Sequence, residues 1–412
     1  MVREALAWWA KDNKLLERLD ECEKKMKEAE NKTKKDDKTV KPDRVLSECL
    51  KQLEPERLKL QELRVLSCLA GLVLHLDAFG LKKDVFIRSY SKALTEIELK
   101  KSYKRAENTG AVLNITEEQA ALFPPGTFHI SFNFQLRKPY ISKDDTEFYV
   151  IDNPVKKDWV FKVPYIAPGQ WKGCLHAAMV HQLADWWAGI LKNALVRDDE
   201  KSEFIMRRLQ LVRLFGNEQG VEVDTKDSEA YLDRVGGSDL SKRYRKSLKK
   251  IAPEGHRRGR LMFYPTFFDR LGLEVINPHD RKTGAGKLPI YFETVPEKTC
   301  GRFALLYVPF DRVGKDAGET IREAAEDLCR VAEGIAFLCT EFGFGAKTSN
   351  GFGLAAPELL SEGEIALRLA VDTGKTKNFK TLDSKDKTGL TGKAKELIAG
   401  LPNQGGGGSD SR

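Results

Sequence analysis

The chain has 412 residues, 32% of them charged and 41% hydrophobic, with a formal net charge of +8 and a pI near 8.9. That length can bury a large core, most simply as two domains with extensions, and the positive balance favours a polyanionic partner. Seven cysteines without a CxxC pair and six scattered histidines exclude a disulfide framework, argue against a structural zinc site and point to a reduced, cytoplasmic protein.

In chain order, residues 1–115 read as a helical N-terminal extension with no signal peptide at its start. A charged first segment and a turn-like break, NKTKKDDKTVKPD, precede a long helix over 43–80. Leu46, Cys49, Leu50, Leu53, Leu58, Leu60, Leu63, Val65 and Leu66 give that helix an apolar stripe. The most apolar stretch, 65–79, holds His75 and Asp77 and is too short to span a bilayer, so no membrane partner is expected.

At Pro124 the character changes. TFHISFNFQLRKPYI alternates as a strand, with Phe128, Ile130, Phe132, Phe134 and Leu136 inward. Pro168 and Gly169 open a helix whose inward face is Trp171, Leu175, Ala178, Met179, Leu183, Trp186 and Ile190. Further strands follow in RGRLMFYPTFFD, RLGLEVIN, PIYFETVP and RFALLYVPFD. A helix over 319–341 carries Ile321, Ala325, Leu328, Ala332, Ile335 and Leu338, and a glycine loop leads into a last strand, GFGLA. The order predicts an α+β chain with a β-α-β-β-α-β ferredoxin-like core and long insertions, whose open sheet face suits single-stranded nucleic acid. The domains are then 1–115, a nucleic-acid-binding domain over 116–360 with a basic insertion near 217–258, and a C-terminal extension, 361–412, ending in the flexible stretch QGGGGSDSR.

The glycine loop, FGFGAKTSNGFG at 342–353, is not a nucleotide motif. A P-loop needs G-x-x-x-x-G-K-[ST] after a strand, whereas Lys347 follows Ala346 and the loop follows a helix; a dinucleotide fingerprint needs glycine where Thr348 stands. Two readings remain open. Either Gly343, Gly345, Gly351 and Gly353 bring backbone close to a ligand whose phosphate or ribose oxygens Lys347, Thr348, Ser349 and Asn350 address, or the loop is a helix cap and tight turn. Residues 241–260, SKRYRKSLKKIAPEGHRRGR, hold nine Lys or Arg against one Glu. They form either a phosphate-binding patch, with Lys242, Arg243, Arg245, Arg257 and Arg258 as contacts, or a solvated loop.

Four ordered stretches carry a family resemblance: IDNPVKKD at 151–158, VPYIAPGQWKGCLHAA at 163–178, LFGNEQG with GRLMFYPTFFD at 214–220 and 259–269, and FGFGAKTSNGFG. Over 125–357 the chain resembles the RAMP superfamily, the Csm- and Cmr-like backbone subunits of type III CRISPR effector complexes. The resemblance implies a modified RRM-like (ferredoxin-like) RAMP core, partners in guide RNA, complementary target RNA and sister subunits, and a role for Gly343–Gly353 as the loop that touches guide RNA. It also matches Lys172 to the lysine of the family's P-G-S-S-x-K-G stretch. Gln170, Trp171 and His176 depart from the pattern, so Trp171 is either core or a base-stacking platform. The helical first 115 residues are unusual for the superfamily and are read as imitating or docking its small helical subunit.

The resemblance further implies that Asp152, in I-D-N-P-V, is the residue required for cleaving bound target RNA, with a divalent cation such as Mg2+ if the chain is a nuclease. Lys156 and Lys157 would then stabilise developing charge, while Asp144, Asp145 and Asp158 read as turn caps and His129 as a polar sheet residue. Against this, VINPHDRKTGAGKLPIYFETV at 275–295, with His279, resembles the Pro-His segment of a Cmr-type subunit near the filament end, which favours a non-catalytic scaffold. A stand-alone guide-processing ribonuclease is the third alternative.

Overall fold

A computed structural model describes residues 103–104, 106, 122–144, 153–161, 163–192, 195–217, 228–253, 256–277, 290–370 and 373–401. The expected helix over 43–80, Asp145, Asp152 and His279 lie outside these residues. The backbone gathers into two compact units. One contains Tyr103–Ser142, Tyr165–Asp269 and the chain from Val295 onward; the other contains Lys143–Pro164 and Arg270–Thr294.

The elements run β1 (Phe128–Gln135), β2 (Tyr165–Ile166), α1 (Pro168–Ile190), α2 (Asp198–Phe215), β3 (Gly216–Asn217), α3 (Ser228–Ile251), β4 (Arg257–Arg258), β5 (Leu261–Phe263), β6 (Thr266–Phe267), β7 (Gly272–Ile276), β8 (Ile290–Thr294), β9 (Cys300–Tyr307), α4 (Ala317–Phe337), β10 (Glu358–Ala370), β11 (Thr373–Thr381) and α5 (Leu390–Ala399). In the larger unit an antiparallel sheet has the order β11-β10-β1-β9-β5. β1 lies at its centre, paired with β9 from Phe128 against Tyr307 to Gln135 against Cys300. Its period-two pattern buries Phe128, Ile130, Phe132 and Phe134 on one face and leaves His129, Ser131, Asn133 and Gln135 on the other. His129 Nε2 there meets Glu364 Oε1 at 2.6 Å.

Proline at the first turn starts α1, and Trp171, Leu175, Ala178, Met179, Leu183 and Ala184 form its buried stripe. Trp187 closes that stripe, not Trp186, which lies only half-buried beneath the Arg207 guanidinium at 4.0 Å. Asp316 caps α4 by accepting from Glu319 N at 2.7 Å. The predicted last strand, GFGLA, is instead a loop joined to the sheet by the single bridge Leu136–Ala355. The boundary expected at 360 falls inside β10, where Ile365 and Leu367 are fully buried, so the apparent C-terminal extension supplies two strands of the sheet.

Beneath the sheet lies a polar hub. Asp327, fully buried, accepts from Gln210 at 2.8 Å, from Arg213 at 2.9 and 2.5 Å and from Tyr307 OH at 2.7 Å. Arg260, counted above among the nine basic residues, is 3% exposed and donates to Tyr307 OH, Glu323 and Asp311 at 2.6–2.7 Å. It is a structural cation. Among the described residues no helix is long and apolar enough to cross a membrane.

Candidate nucleic-acid interface

After α4 a wide turn, Leu338–Phe342, delivers the chain to the glycine loop, and Gly343 N donates to Leu338 O at 2.8 Å. Phe344 is fully buried against Trp171, Phe134 and Tyr140, with ring centroids 4.8, 5.7 and 6.0 Å away. Backbone bonds pin both flanks of the loop to residues 137–141. Ala346 N donates to Ile141 O at 2.7 Å, Gly353 N to Pro139 O at 2.8 Å, and Arg137 N to Leu354 O at 2.8 Å. A Cβ at Gly345 would lie 2.4 Å from Ile141 O, and one at Gly353 1.8 Å from Phe344 O. Those glycines are required by packing within the protein, and Gly343 is likewise buried.

What the loop offers outward is its tip, 347–351. Lys347, Ser349 and Asn350 are exposed, Thr348 is half-buried, and Gly351 has open space around it. Thr348–Asn350 form one helical turn entered through Lys347 in the left-handed region, φ 58°. Such a turn leaves its first amides, those of Thr348 and Ser349, without an intrahelical acceptor.

The start of α1 docks on the same 137–141 segment. Tyr140 OH donates to Gln170 Oε1 at 3.0 Å, and the Gly345 amide donates to the Cys174 thiol, whose pKa burial raises. Ala167 at the N-cap supplies no side-chain acceptor and the first turn holds no acid, so neither cap nor first turn neutralises the partial positive charge of this 23-residue helix. Half-buried Lys172 adds a cation to that turn. Trp171 is fully buried, with Nε1 donating to Thr266 Oγ1 at 3.0 Å; it is core, not a stacking platform. The structure thus docks the start of α1, which carries Lys172, and the glycine loop, with Gly343, Gly345 and the tip 347–351, on one segment, 137–141.

The basic segment is no loop. It forms the second half of α3, restarted after a break at Gly237, φ 78°, and then β4. Lys242 and Arg243 are exposed. Arg245 is paired with Asp233, and Arg257 donates to Asp311 at 2.7 Å, so neither presents an uncompensated charge. Exposed Arg258 lies 6.0 Å from the Phe310 ring. Lys246, Lys249 and Lys250, exposed on the same helix, were not singled out from sequence, although their i, i+3, i+4 spacing marks a common face.

In the smaller unit, the residues just after Asp152 are tied to β8. Asn153 Nδ2 donates to Tyr291 O at 3.2 Å, and Glu293 N donates to Asn153 O at 3.0 Å. Lys157 was expected to face phosphate. It is instead buried, 5% exposed, with Nζ 2.5 Å from Glu293 Oε2, because β8 presents a carboxylate at the depth where the lysine enters. Asp158 caps its turn, accepting from Val160 N and Phe161 N at 2.9 and 2.8 Å. Asp144 N donates to Pro154 O at 3.0 Å.

No family model matches the chain, and no curated protein sequence matches it. Among solved structures it is similar to a chain of a type III-B Cmr-beta complex bound to cognate target RNA, at 14% identity and a TM-score of 0.38 over 70% of this chain and 75% of that one. It is also similar to a chain of a CRISPR RNA-guided surveillance complex in a pre-nicking state, at 12% identity and a TM-score of 0.30 over 58% and 78%. A third similarity is to Cmr6 from Pyrococcus furiosus, at 16% identity and a TM-score of 0.28 over 56% and 98%. At such identities and TM-scores the likeness transfers no residue role to this chain.

Proposed function

We propose that this chain is a guide-RNA-binding backbone subunit of a type III CRISPR interference complex. The observation that carries the reading is that the α1 start and the glycine loop are both docked on residues 137–141. Helix-terminal amides and two lysines suit phosphate oxygens without reading base edges, as a subunit serving interchangeable guides requires, and the short hydroxyl and amide side chains of the tip suit phosphate and ribose oxygens. The four ordered stretches support it. So does the strand order β10-β1-β9-β5, with α1 following β1 and α4 following β9, which agrees with a ferredoxin-like core.

The test is Lys172→Glu and Lys347→Glu in the reconstituted complex, with binding of repeat-derived guide RNA measured at low ionic strength. Each variant is expected to weaken binding on the order of ten-fold, evenly across guides of unlike sequence. Unchanged binding, or loss for some guide sequences only, overturns the proposal.

Cleavage of target RNA at Asp152 is a second reading, favoured by the anchoring of Asn153 and Val155 to β8, which fixes the chain immediately after that position. A carboxylate there would accept the 2′-hydroxyl proton as the 2′-oxygen attacks the adjacent phosphorus in line, so that the P–O5′ bond breaks, the departing 5′-oxygen takes up a proton and a 2′,3′-cyclic phosphate is left. Of the described carboxylates beside this loop, Glu293 is taken by Lys157 and Val155 N and Asp158 by two amides, which leaves neither to hold a divalent cation. Asp152→Ala should abolish one cut site while target binding persists; an unchanged cut pattern leaves the scaffold reading. Cleavage of precursor repeat RNA by the isolated chain would instead favour a guide-processing ribonuclease.

A further inference from the structure

The restarted half of α3 is divided lengthwise. Leu240, Tyr244, Leu248 and Ala252 are at most 5% exposed, whereas Lys242, Arg243, Lys246, Lys249 and Lys250 are all exposed. At roughly 100° per residue the five cations share one half of the helix surface and the buried residues the other. The arginines around them are matched by acids: Arg208 and Arg245 by Asp233, Arg207 by Glu203, Arg257 and Arg260 by Asp311. Lys242, Lys246, Lys249 and Lys250, by contrast, make no hydrogen bond or ion pair among the described residues. Like charges at i, i+4 repel; exposed Asp239 stands one turn before Lys242 and Arg243, and Asp198 feels the charge of Arg243, whereas Lys246, Lys249 and Lys250 have no acid paired with them among the described residues.

We propose that this lysine face binds the phosphate backbone of a nucleic-acid duplex, RNA and DNA alike. From Lys242 to Lys250 the helix runs about 12 Å, a stretch over which a duplex presents on the order of seven phosphates. No aromatic side chain accompanies the cations outward: Tyr244 is turned inward with the Arg208 guanidinium 3.8 Å from its ring. Sites for unpaired strands interleave aromatics on which bases stack, and this face has none. Lysine ammonium groups act as point charges without the fork that reads guanine, so the site is blind to sequence. The inference rests on the charge pattern of α3 and stands or falls apart from the guide-binding reading.

The experiment uses the full chain and its Lys246→Gln/Lys249→Gln/Lys250→Gln variant, with fluorescence anisotropy of labelled random-sequence RNA duplex, DNA duplex and single-stranded RNA across a salt series. Affinity for both duplexes should fall on the order of 100-fold near 0.1 M salt, with the salt slope flattened by about 0.9 per lysine removed. Thermal unfolding should stay unchanged, because the three residues are exposed. An unchanged affinity and slope overturns the proposal. So does a greater loss for single strands than for duplexes, or a loss confined to particular sequences.

Discussion

Replacing Glu293 by Gln removes the counter-charge of a lysine that is itself buried. The two side chains are 5% and 1% exposed, with Lys157 Nζ 2.5 Å from Glu293 Oε2. At that separation the attraction is roughly 7 kcal/mol for an effective dielectric near 20, and the desolvation of both ions cancels much of it. Removing one partner takes the 2.5 Å counter-charge away from the other buried ion, at about 3–5 kcal/mol. Glutamine retains an acceptor for Val155 N, which now lies 3.2 Å from Oε2, so the loss isolates the charge. Lys157→Met should cost a similar amount by removing the cation that faces the buried carboxylate. Lys157→Met/Glu293→Gln removes both charges together and should cost no more than about 2 kcal/mol, giving a coupling of about 4 kcal/mol or more. Calorimetric unfolding of the four proteins reads this out: each single variant should melt roughly 10 °C lower and the double only a few degrees lower, at about 2–4 °C per kcal/mol. If the single losses simply add in the double, the pair is not the coupled ion pair described, and Lys157 returns as a candidate for phosphate.

The loop glycines should divide by what surrounds them. Gly345→Ala places a Cβ 2.4 Å from Ile141 O at φ +98° and should cost about 3 kcal/mol or more, together with guide binding. Gly351→Ala, at φ +83° in open space, should cost only about 1–2 kcal/mol; equal shifts in melting temperature would refute the distinction. Acid should weaken the polar hub. Burial alone would raise the carboxyls of Asp311 and Glu323, but bonds to Arg260 and the charges of Arg260, Arg257, Arg213 and Arg312 outweigh it and hold both below their ordinary values. The unfolded chain then binds more protons than the folded one, so this stabilisation is present above about pH 4 and lost as pH falls through the lowered folded-state values. Melting temperature followed between about pH 7 and pH 3 should fall less steeply in Arg260→Gln, and parallel curves would exclude the hub as the cause.

Short-range pattern carried much of the architecture. The alternation of Phe128, Ile130, Phe132 and Phe134 marks β1, and Pro168 with an i, i+4 apolar stripe marks α1, because backbone geometry repeats within a few residues of itself. The turn role of Asp158 was legible for the same reason. Partnerships across the fold were not. Lys157 finds Glu293 136 residues away, Arg260 finds Asp311 51 residues away, and both changed from expected or counted surface cations into internal ones. The glycines of the loop announce close approach, but only the path of residues 137–141 shows that the approach at 345 is to the protein's own backbone. Sequence determined which segments could be helix or strand and where charge is dense. Tertiary structure alone decided which charges are neutralised, since an ion pair depends on two chains of atoms meeting in space and leaves no local periodicity to read.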